Sequence, residues 1–464
     1  MKKLVFGLLF LLSGISNAQD SLSELTLSEF LGYVKSYHPL VKQANLVITE
    51  SEAKLMKSRG AFDPKIEVDY DRKQFKNSEY YDKLNSTFKV PTWYGVELKA
   101  NFENNEGIFL NPESSLPEDG LYSVGVSVSL AKGLLINERM AMLKQAKLYT
   151  KQAQVDRQLM VNNILYQASV TYFNWLKAYN EKKVYESFLT NAAIRLDGIL
   201  QSFELGERPA IDTLEAGIVL NSRKLELEKA RITYIKSSLE LSNYLWLDNN
   251  TPVELQQDVI PDTNTVQIVE DALNIDQFNL SNFNIEEHPK IQSLGYKLQS
   301  LEIERRLKLN ELLPRVDLQY NFLSPTADQI RTFNTTSYKS GLNISFPLFL
   351  RKERGDLKLA KLKFDTLEFE MQGARVTLKN KIDAINQELM SFKTQTEFTN
   401  TIVNDYRTLL AAEERKFFLG ESSLFLVNSR ESKLIDARLK AISLENSYFI
   451  SQANLFNVLG NFML

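Results

Sequence analysis

The sequence predicts a mainly α-helical protein with a β-barrel contribution, in which long coiled-coil helical hairpins and short amphipathic strands occur twice along the chain. Three observations predict this fold class. The only two histidines, His38 and His288, both precede a proline and lie 250 positions apart. Pro64 and Pro314 repeat that offset, and each begins an alternating segment. Two long segments carry apolar residues at three- and four-residue spacing. An internal duplication explains all three observations.

The N-terminus predicts a secretory signal peptide over residues 1–18. A basic start, "MKK", is followed by a short apolar run and the small-residue cleavage signal "SNA". The alternative, an N-terminal membrane anchor, is disfavoured because the apolar run is far shorter than the roughly 20 residues of a spanning helix. We therefore expect a periplasmic, extracellular or outer membrane protein.

Composition excludes several classes of function. The chain has no cysteine, which excludes disulfides, thiolate metal sites and a lipid-anchoring cysteine. A formal charge of −3 provides no basic footprint, so nucleic acid is not an expected partner. No nucleophile, phosphate-binding or metal motif is present, so we predict no catalytic, cofactor-binding or metal residues and no enzyme.

The first repeat is predicted over residues 19–246, with its strands at about 64–130. Ile66, Val68 and Tyr70 alternate with polar residues, which is typical of a strand with two unlike faces. The segment "WYGVELKANFE" alternates in the same way and predicts an extra strand, half of an added hairpin. The second repeat, 287–464, has its strands at about 314–348. Residues 247–286 are polar and less periodic, and they are interpreted as a linker packed on the outside.

Each strand region leads into a long helical hairpin, 137–246 in the first repeat and 351–461 in the second. Residues 137–204 contain no proline and one glycine. A helix of roughly 65 residues would be about 100 Å long at 1.5 Å per residue. The apolar residues follow the seam of a coiled coil; in the two halves they are Val161, Leu165, Ala168, Tyr172, Trp175 and Tyr179, and Leu357, Ala360, Phe364, Leu367, Met371, Ala374 and Leu378.

Both long helices end at one signature, "FELGERPAIDTLEA" in the first half and "FFLGESSLFLVNSR" in the second. Gly206 and Gly420 suit the left-handed residue that closes a helix. Pro209 and the pair Ser422 and Ser423 suit the start of a return helix.

The histidines have two possible roles. A proline directly after each histidine fits the first turn of a helix, where its missing N–H costs nothing. A metal or catalytic pair is the alternative, but no carboxylate cluster or cysteine accompanies them. We predict that His38 and His288 begin equivalent helices.

Amphipathic strands of this number cannot close a barrel within one chain, and open sheet edges are not tolerated in lipid. Two strands per half give four per protomer, and three protomers would give twelve. The extra hairpin would enlarge that number or lie above the membrane, and the sequence leaves both possibilities open.

The chain resembles the TolC family of outer membrane efflux proteins over nearly all of its length after the signal peptide. The resemblance rests on the duplicated His-Pro helix starts, the passages "VSVSLAKGLLINERM" and "ISFPLFLRKERG", and the glycine-marked tips. "FDPKIEVDY" and "PTWYGVELKA" are similar to a Bacteroidetes-like branch. The resemblance implies a homotrimer with a twelve-stranded barrel in outer membrane lipid and a helical tunnel in the periplasm. It also implies a periplasmic adaptor and an inner membrane pump of the RND or ABC type as partners.

The resemblance also implies site residues at the tips. The adaptor would dock at Gly206, Glu207, Arg208, Gly420, Glu421 and Ser422. Typical members carry acids six and nine positions after the second glycine, and this chain has Leu426 and Ser429 there. Asp212 and Glu215 hold the matching positions of the first half and become the candidates for an acidic ring at the pore entrance. The alternative is that these two acids only favour the positive end of a helix.

Two other classes of protein remain as alternatives. An adaptor of an efflux system would show one hairpin between glycine-rich β domains, whereas this chain has two hairpins and 18 glycines. A secreted coiled-coil structural protein would not place proline-led strands at matching points between its helices.

Overall fold

The computed structural model describes residues 23–256, 258–262 and 283–460. The predicted signal peptide, residues 1–18, and the middle of the predicted linker lie outside the described residues. None of the helices in the described ranges combines the length and the apolar character that a membrane span requires.

Seven α-helices account for most of the described chain. They are α1 (Leu27–Tyr37), α2 (Pro39–Arg59), α3 (Glu138–Glu204), α4 (Ala210–Ser242), α5 (Pro289–Asn310), α6 (Arg351–Phe418) and α7 (Leu424–Leu459). Helices α3 and α6 have 67 and 68 residues, so each is about 100 Å long. Each packs against its return helix, α4 or α7. The predicted fold class is confirmed.

The two histidines begin equivalent helices. His38 and His288 are the N-caps of α2 and α5 and have the same backbone angles, φ −64° and ψ 131°. Each Nδ1 accepts a hydrogen bond from the backbone N–H two residues later, at 3.3 Å from Leu40 and 3.1 Å from Lys290. The ring thus satisfies a backbone donor that the first turn leaves free. The predicted structural role is confirmed.

One antiparallel sheet of six strands lies at one end of the helices. Its strands are β2 (Lys65–Phe75), β3 (Ser78–Pro91), β4 (Val96–Glu106), β5 (Leu121–Ser129), β9 (Arg315–Ser324) and β10 (Tyr338–Ser345). Their order across the sheet is β10-β9-β5-β4-β3-β2. The first half contributes four strands, which are the two expected in each half and the predicted added hairpin. The predicted extra strand is β4, and its hairpin partner is β3.

Short strands tie the middle of the chain to the helices. Strand β1 (Ser23–Leu25) pairs in parallel with β8 (Val259–Pro261), and β6 (Trp246–Leu247) pairs with β7 (Thr251–Pro252). The segment after α4 is thus partly ordered as strands rather than being only a linker.

The largest apolar core lies beneath these short strands, around the middle of α3. Its centre is formed by fully buried aromatic side chains, Phe30, Tyr172, Phe173, Trp175 and Phe449. Tyr172 donates to the carbonyl of Leu25 at 2.8 Å, and Trp175 donates to Oγ of Ser238 at 3.0 Å. Both of these polar groups have a hydrogen-bond partner, as buried Tyr and Trp side chains usually do.

Candidate functional site

The two helix tips, residues 202–215 and 416–429, lie at the ends of α3 and α6 and have the same turn geometry. Gly206 has φ +76° and Gly420 has φ +77°, both in the left-handed region. The N–H groups of Glu207 and Glu421 donate to the carbonyls of Ser202 and Lys416 at 2.8 and 2.9 Å. This bond pattern is the Schellman motif, in which a left-handed residue lets the chain satisfy the last carbonyls of the helix.

The return helices start differently in the two tips. In the first, Pro209 is the N-cap and supplies no side-chain acceptor. In the second, Oγ of Ser423 accepts from the N–H of Leu426 at 3.4 Å. Ser422 does not cap the helix; its hydroxyl donates to Glu413 at 2.5 Å.

Arg208 joins the two tips. Its Nη2 donates to the carbonyl of Phe417 at 3.2 Å, and its guanidinium lies 4.1 Å from the centre of the Phe417 ring. The same guanidinium lies 3.6 Å from the carboxylate of Asp212. Arg208 therefore holds the first tip against the end of α6 through a hydrogen bond and a cation–π contact.

The predicted acidic residues already have partners within the chain. Asp212 pairs with Arg208, and its side chain is 18% exposed. Oε1 of Glu215 accepts from the amide of Asn428, on α7, at 2.9 Å. Asp212 is thus paired with a cationic side chain, whereas the partner of Glu215 is a neutral amide. The two acids lie on neighbouring turns at the start of α4.

Leu426 and Ser429 lie in the first turns of α7, opposite this region. Leu426 is 39% exposed, and Ser429 is half-buried. Neither carries a charge, so the second tip adds no acid at these positions. The structure places Glu215 and Asn428 in contact across the two return helices.

The tips expose unusually large apolar side chains. Phe418 is 88% exposed and Phe425 is 68% exposed. The others in the same two turns are Phe203, Leu205, Ile211, Leu214 and Leu419. Glu207 and Glu421 are exposed among them. Exposed apolar patches of this kind are typical of surfaces that contact another protein, a membrane or a ligand.

One charged group near the tips was not predicted from the sequence. Glu431, on α7, has a fully buried side chain between Arg195 on α3 and Arg223 on α4. Arg223 Nη2 lies 3.2 Å from Oε1 of Glu431. Arg195 Nη2 lies 2.7 Å from Oε2, at an angle too poor for a hydrogen bond. The signal was present: Glu431 follows Val427 by four positions and precedes Leu434 by three, so it lies on the apolar seam.

The tips combine exposed apolar side chains with paired charges. The described residues include no group of three or more histidine, cysteine, aspartate or glutamate side chains placed to hold a metal ion. What the tips offer is an apolar patch, paired carboxylates and a buried charge cluster that joins α7 to the first hairpin.

Comparisons with known proteins bear on the whole chain. The family model for outer membrane efflux proteins matches residues 281–461. No curated protein matches the chain. Among solved structures, the CmeC outer membrane channel of Campylobacter jejuni is similar with a TM-score of 0.65 at 15% identity, over 94% of this chain and 85% of that one.

Two further structures have the same fold. The outer membrane protein VceC of Vibrio cholerae is similar with a TM-score of 0.64 at 11% identity, over 94% of this chain and 96% of that one. The open state of the MtrE outer membrane channel of Neisseria gonorrhoeae is similar with a TM-score of 0.63 at 12% identity, over 94% and 89%. At such low identity the likeness shows the fold.

Proposed function

We propose that the chain is an outer membrane efflux protein, a family whose model matches residues 281–461, and that three copies form an exit duct across the outer membrane. The sheet supplies the barrel in outer membrane lipid, and the helices supply a tunnel in the periplasm. The duct works with a periplasmic adaptor and an inner membrane transporter of the RND or ABC type. It moves molecules and performs no chemistry on them.

The observation that carries this proposal is the six-stranded sheet, one face of which is apolar. A sheet with free edges is unstable in lipid, because unpaired backbone groups have no water to bond. Strands β2 and β10 are the two edges, and every residue in them is exposed in the single chain. Copies of the same chain provide complementary edges and close the sheet.

We propose that the tips form the periplasmic end of the duct. The exposed apolar side chains, led by Phe418 and Phe425, provide the adaptor surface together with Gly206, Glu207, Arg208, Gly420, Glu421 and Ser422. An adaptor bound at this surface would bury apolar area, and burial of apolar area is the main favourable contribution to most protein associations.

We propose that Asp212 and Glu215 form the acidic ring of the closed entrance, alongside Leu426 and Ser429. Three copies bring six carboxylates together. The Arg208 pair offsets the charge of Asp212, so Glu215 contributes the larger share of the field. Rings of acidic side chains favour cations. The contact between Glu215 and Asn428 supports this placement, because it holds the carboxylate against α7, the helix that carries Leu426 and Ser429.

The test is cation block in planar bilayers. We expect divalent or trivalent cations on the periplasmic side to block the wild-type channel and to lose this effect in Asp212→Ala/Glu215→Ala. Glu207→Ala is the matched control, because it removes an exposed acid from the same tip and should leave the block intact. If the two acids only favour the start of α4, the substitutions lower helix stability by about 0.3–1 kcal/mol per charge and leave the cation block unchanged. Equal block in the wild type and the double variant would therefore contradict the proposed acidic ring. The absence of any conductance would contradict the proposed duct itself.

A further inference from the structure

The hairpin formed by β3 and β4 lies inside the sheet. Strand β3 pairs with β2 along ten or more residues, and β4 pairs with β5 over the eight positions from Val96 to Glu103. Strands β2 and β5, which correspond to β9 and β10 of the second repeat, are therefore not neighbours. The hairpin separates them by two strand widths.

The hairpin spans the full height of the sheet. At the end near the helices, the β3–β4 turn is held by Asn137, which donates to the carbonyl of Trp93 at 3.1 Å. Arg139, in the first turn of α3, pairs with Glu97 at 2.8 Å. At the far end, the ring of Tyr80 lies 4.5 Å from that of Phe109. Strands β3 and β4 have 14 and 11 residues, and a spanning strand needs about 9–11.

The hairpin continues the two faces of the sheet in phase. Val96, Leu98, Ala100 and Phe102 of β4 lie on one face, opposite the apolar residues of β5. One row across all six strands is apolar throughout: Ile66, Phe88, Ala100, Val124, Phe322 and Tyr338. The opposite face of the hairpin carries Lys89, Lys99 and Asn101. A hairpin in water would not need this alternation, whereas a strand between lipid and a wet lumen does.

Aromatic residues flank the hairpin at both ends. Phe62 stacks on Trp93 near the helices, with ring centres 5.6 Å apart, and Tyr80 lies between Phe75 and Phe109 at the other end. Aromatic side chains gather at the two boundaries of a bilayer. The distance between the two groups is set by the length of β3 and β4 themselves.

We propose that β3 and β4 are membrane-spanning strands, so that three copies of this chain close a barrel of eighteen strands instead of twelve. Each copy contributes the six strands of its sheet. The occupant of the β2 edge is the β10 edge of a second copy. An even number of antiparallel strands makes β2 and β10 run in opposite directions, so the pattern continues across the junction. This inference rests on the proposed trimeric duct. Because the diameter of a barrel grows roughly linearly with strand number, the pore becomes wider.

Single-cysteine labelling in outer membrane vesicles tests the hairpin. The chain contains no cysteine, so each variant reports on one position. Leu98→Cys and Asn101→Cys probe the two faces of β4. Their paired neighbours, Val126→Cys and Ser123→Cys, are matched controls on β5, which spans the membrane with or without the hairpin.

A charged maleimide should react with Asn101→Cys and Ser123→Cys about tenfold faster than with Leu98→Cys and Val126→Cys, because a charged reagent is excluded from hydrocarbon. If Leu98→Cys reacts as fast as Asn101→Cys while Val126→Cys stays protected, the hairpin lies outside the membrane and the eighteen-stranded barrel is wrong. If Val126→Cys is also unprotected, the sheet is not in a membrane at all.

A second experiment tests the junction between copies in the proposed trimer. Leu342→Cys on β10 is combined in turn with Ile66→Cys, Val68→Cys or Tyr70→Cys on β2, all on the apolar face, and the protein is oxidised in vesicles. We expect one of the three pairs to give a covalent trimer on a denaturing gel. If the copies cross-link but Leu98→Cys is labelled as fast as Asn101→Cys, only the eighteen-stranded barrel is wrong and the trimer stands. No cross-linking in any of the three would contradict the proposed duct and this inference with it.

Discussion

At the scale of single residues, the buried Glu431 is the charge on which the packing near the tips depends. Its carboxylate faces two guanidinium groups whose side chains are only 13% and 12% exposed, those of Arg195 and Arg223. Burying three charged groups is tolerated only when they are paired. The cluster links α7 to both helices of the first hairpin.

We expect Glu431→Ala to lower the free energy of unfolding by about 3–5 kcal/mol, because it removes the buried carboxylate that faces two largely buried guanidinium groups. Glu414→Ala is the matched control: Glu414 also pairs with Arg195, but its side chain is 46% exposed. An exposed pair contributes about 0–1 kcal/mol. Urea unfolding in detergent, followed by circular dichroism, measures both. Equal losses in the two variants would show that burial of Glu431 does not matter.

The histidine caps make stability depend on pH. Burial lowers the pKa of both His38 and His288, although hydrogen bonds to backbone groups oppose the shift. Nε2 of His288 lies 2.9 Å from the carbonyl of Val458, and Nδ1 accepts from a backbone N–H, so the neutral ring fits the site. Below the ordinary histidine pKa of about 6.5, the unfolded chain binds more protons than the folded one.

We therefore expect stability to be intact above this pKa and to fall as the pH drops through about 6.5 toward the lowered folded value. In His38→Asn/His288→Asn the asparagines keep a capping oxygen but do not titrate in this range. The double variant should lose less stability than wild type between neutral and mildly acidic pH. Parallel pH profiles of the unfolding midpoint would contradict a role for the two rings.

At the scale of elements, the long helices were the easiest part to predict. Apolar residues at three- and four-residue spacing persist over many turns, and Gly206 and Gly420 mark where they stop. The part of the seam near the tips was harder to predict, because Glu431 occupies an apolar position there. Its burial depends on Arg195 and Arg223, which are distant in sequence. The contact of Arg208 with Phe417 joins two repeats, and no local pattern contains it.

The tip turns give a prediction about assembly. A Cβ at Gly206 or Gly420 would meet nothing within 4 Å, so only the positive φ resists substitution. Gly206→Val/Gly420→Val should disturb both turns, because a β-branched residue strongly disfavours that conformation. We expect adaptor cross-linking and export to fall while the amount in the outer membrane stays near normal.

Gly198→Val is the control for that experiment. Gly198 lies on the same helix with open space around it, but its backbone is helical. It should leave adaptor cross-linking and export close to wild type. Unchanged export in the double tip variant would mean that these turns do not meet the adaptor.

The strands show where local pattern stops being informative. Alternation predicts β2, β4 and β9, because each carries Val, Ile, Leu or Tyr on every second position. Strand β3 was expected only as the partner of β4 in an added hairpin and was not located, since Ser86 and Asp82 interrupt its apolar face. The apolar neighbours that complete this face come from β2 and β4, so the pattern exists only after pairing.

At the scale of the whole molecule, the predicted duplication explains the fold, and the open sheet is the reason for proposing a functional unit of several chains. We expect the mature protein to be a trimer in detergent, because β2 and β10 have free backbone groups that only another copy matches. Light scattering corrected for detergent gives the mass, and the trimer should migrate as one species on a gel until it is heated. A stable monomer would contradict the duct.

The inserted hairpin has a consequence for how the circumference of such a barrel can vary. Adding one strand would leave two neighbours running the same way at every junction between copies, whereas adding a pair preserves the alternation. A loop between strands can therefore become part of the barrel only as a pair of strands. Each added pair occurs once in every copy of the chain. The helices below are untouched by that change, apart from the anchoring of the new turn by Asn137 and Arg139. The opening to the outside and the passage beneath it can thus be sized independently.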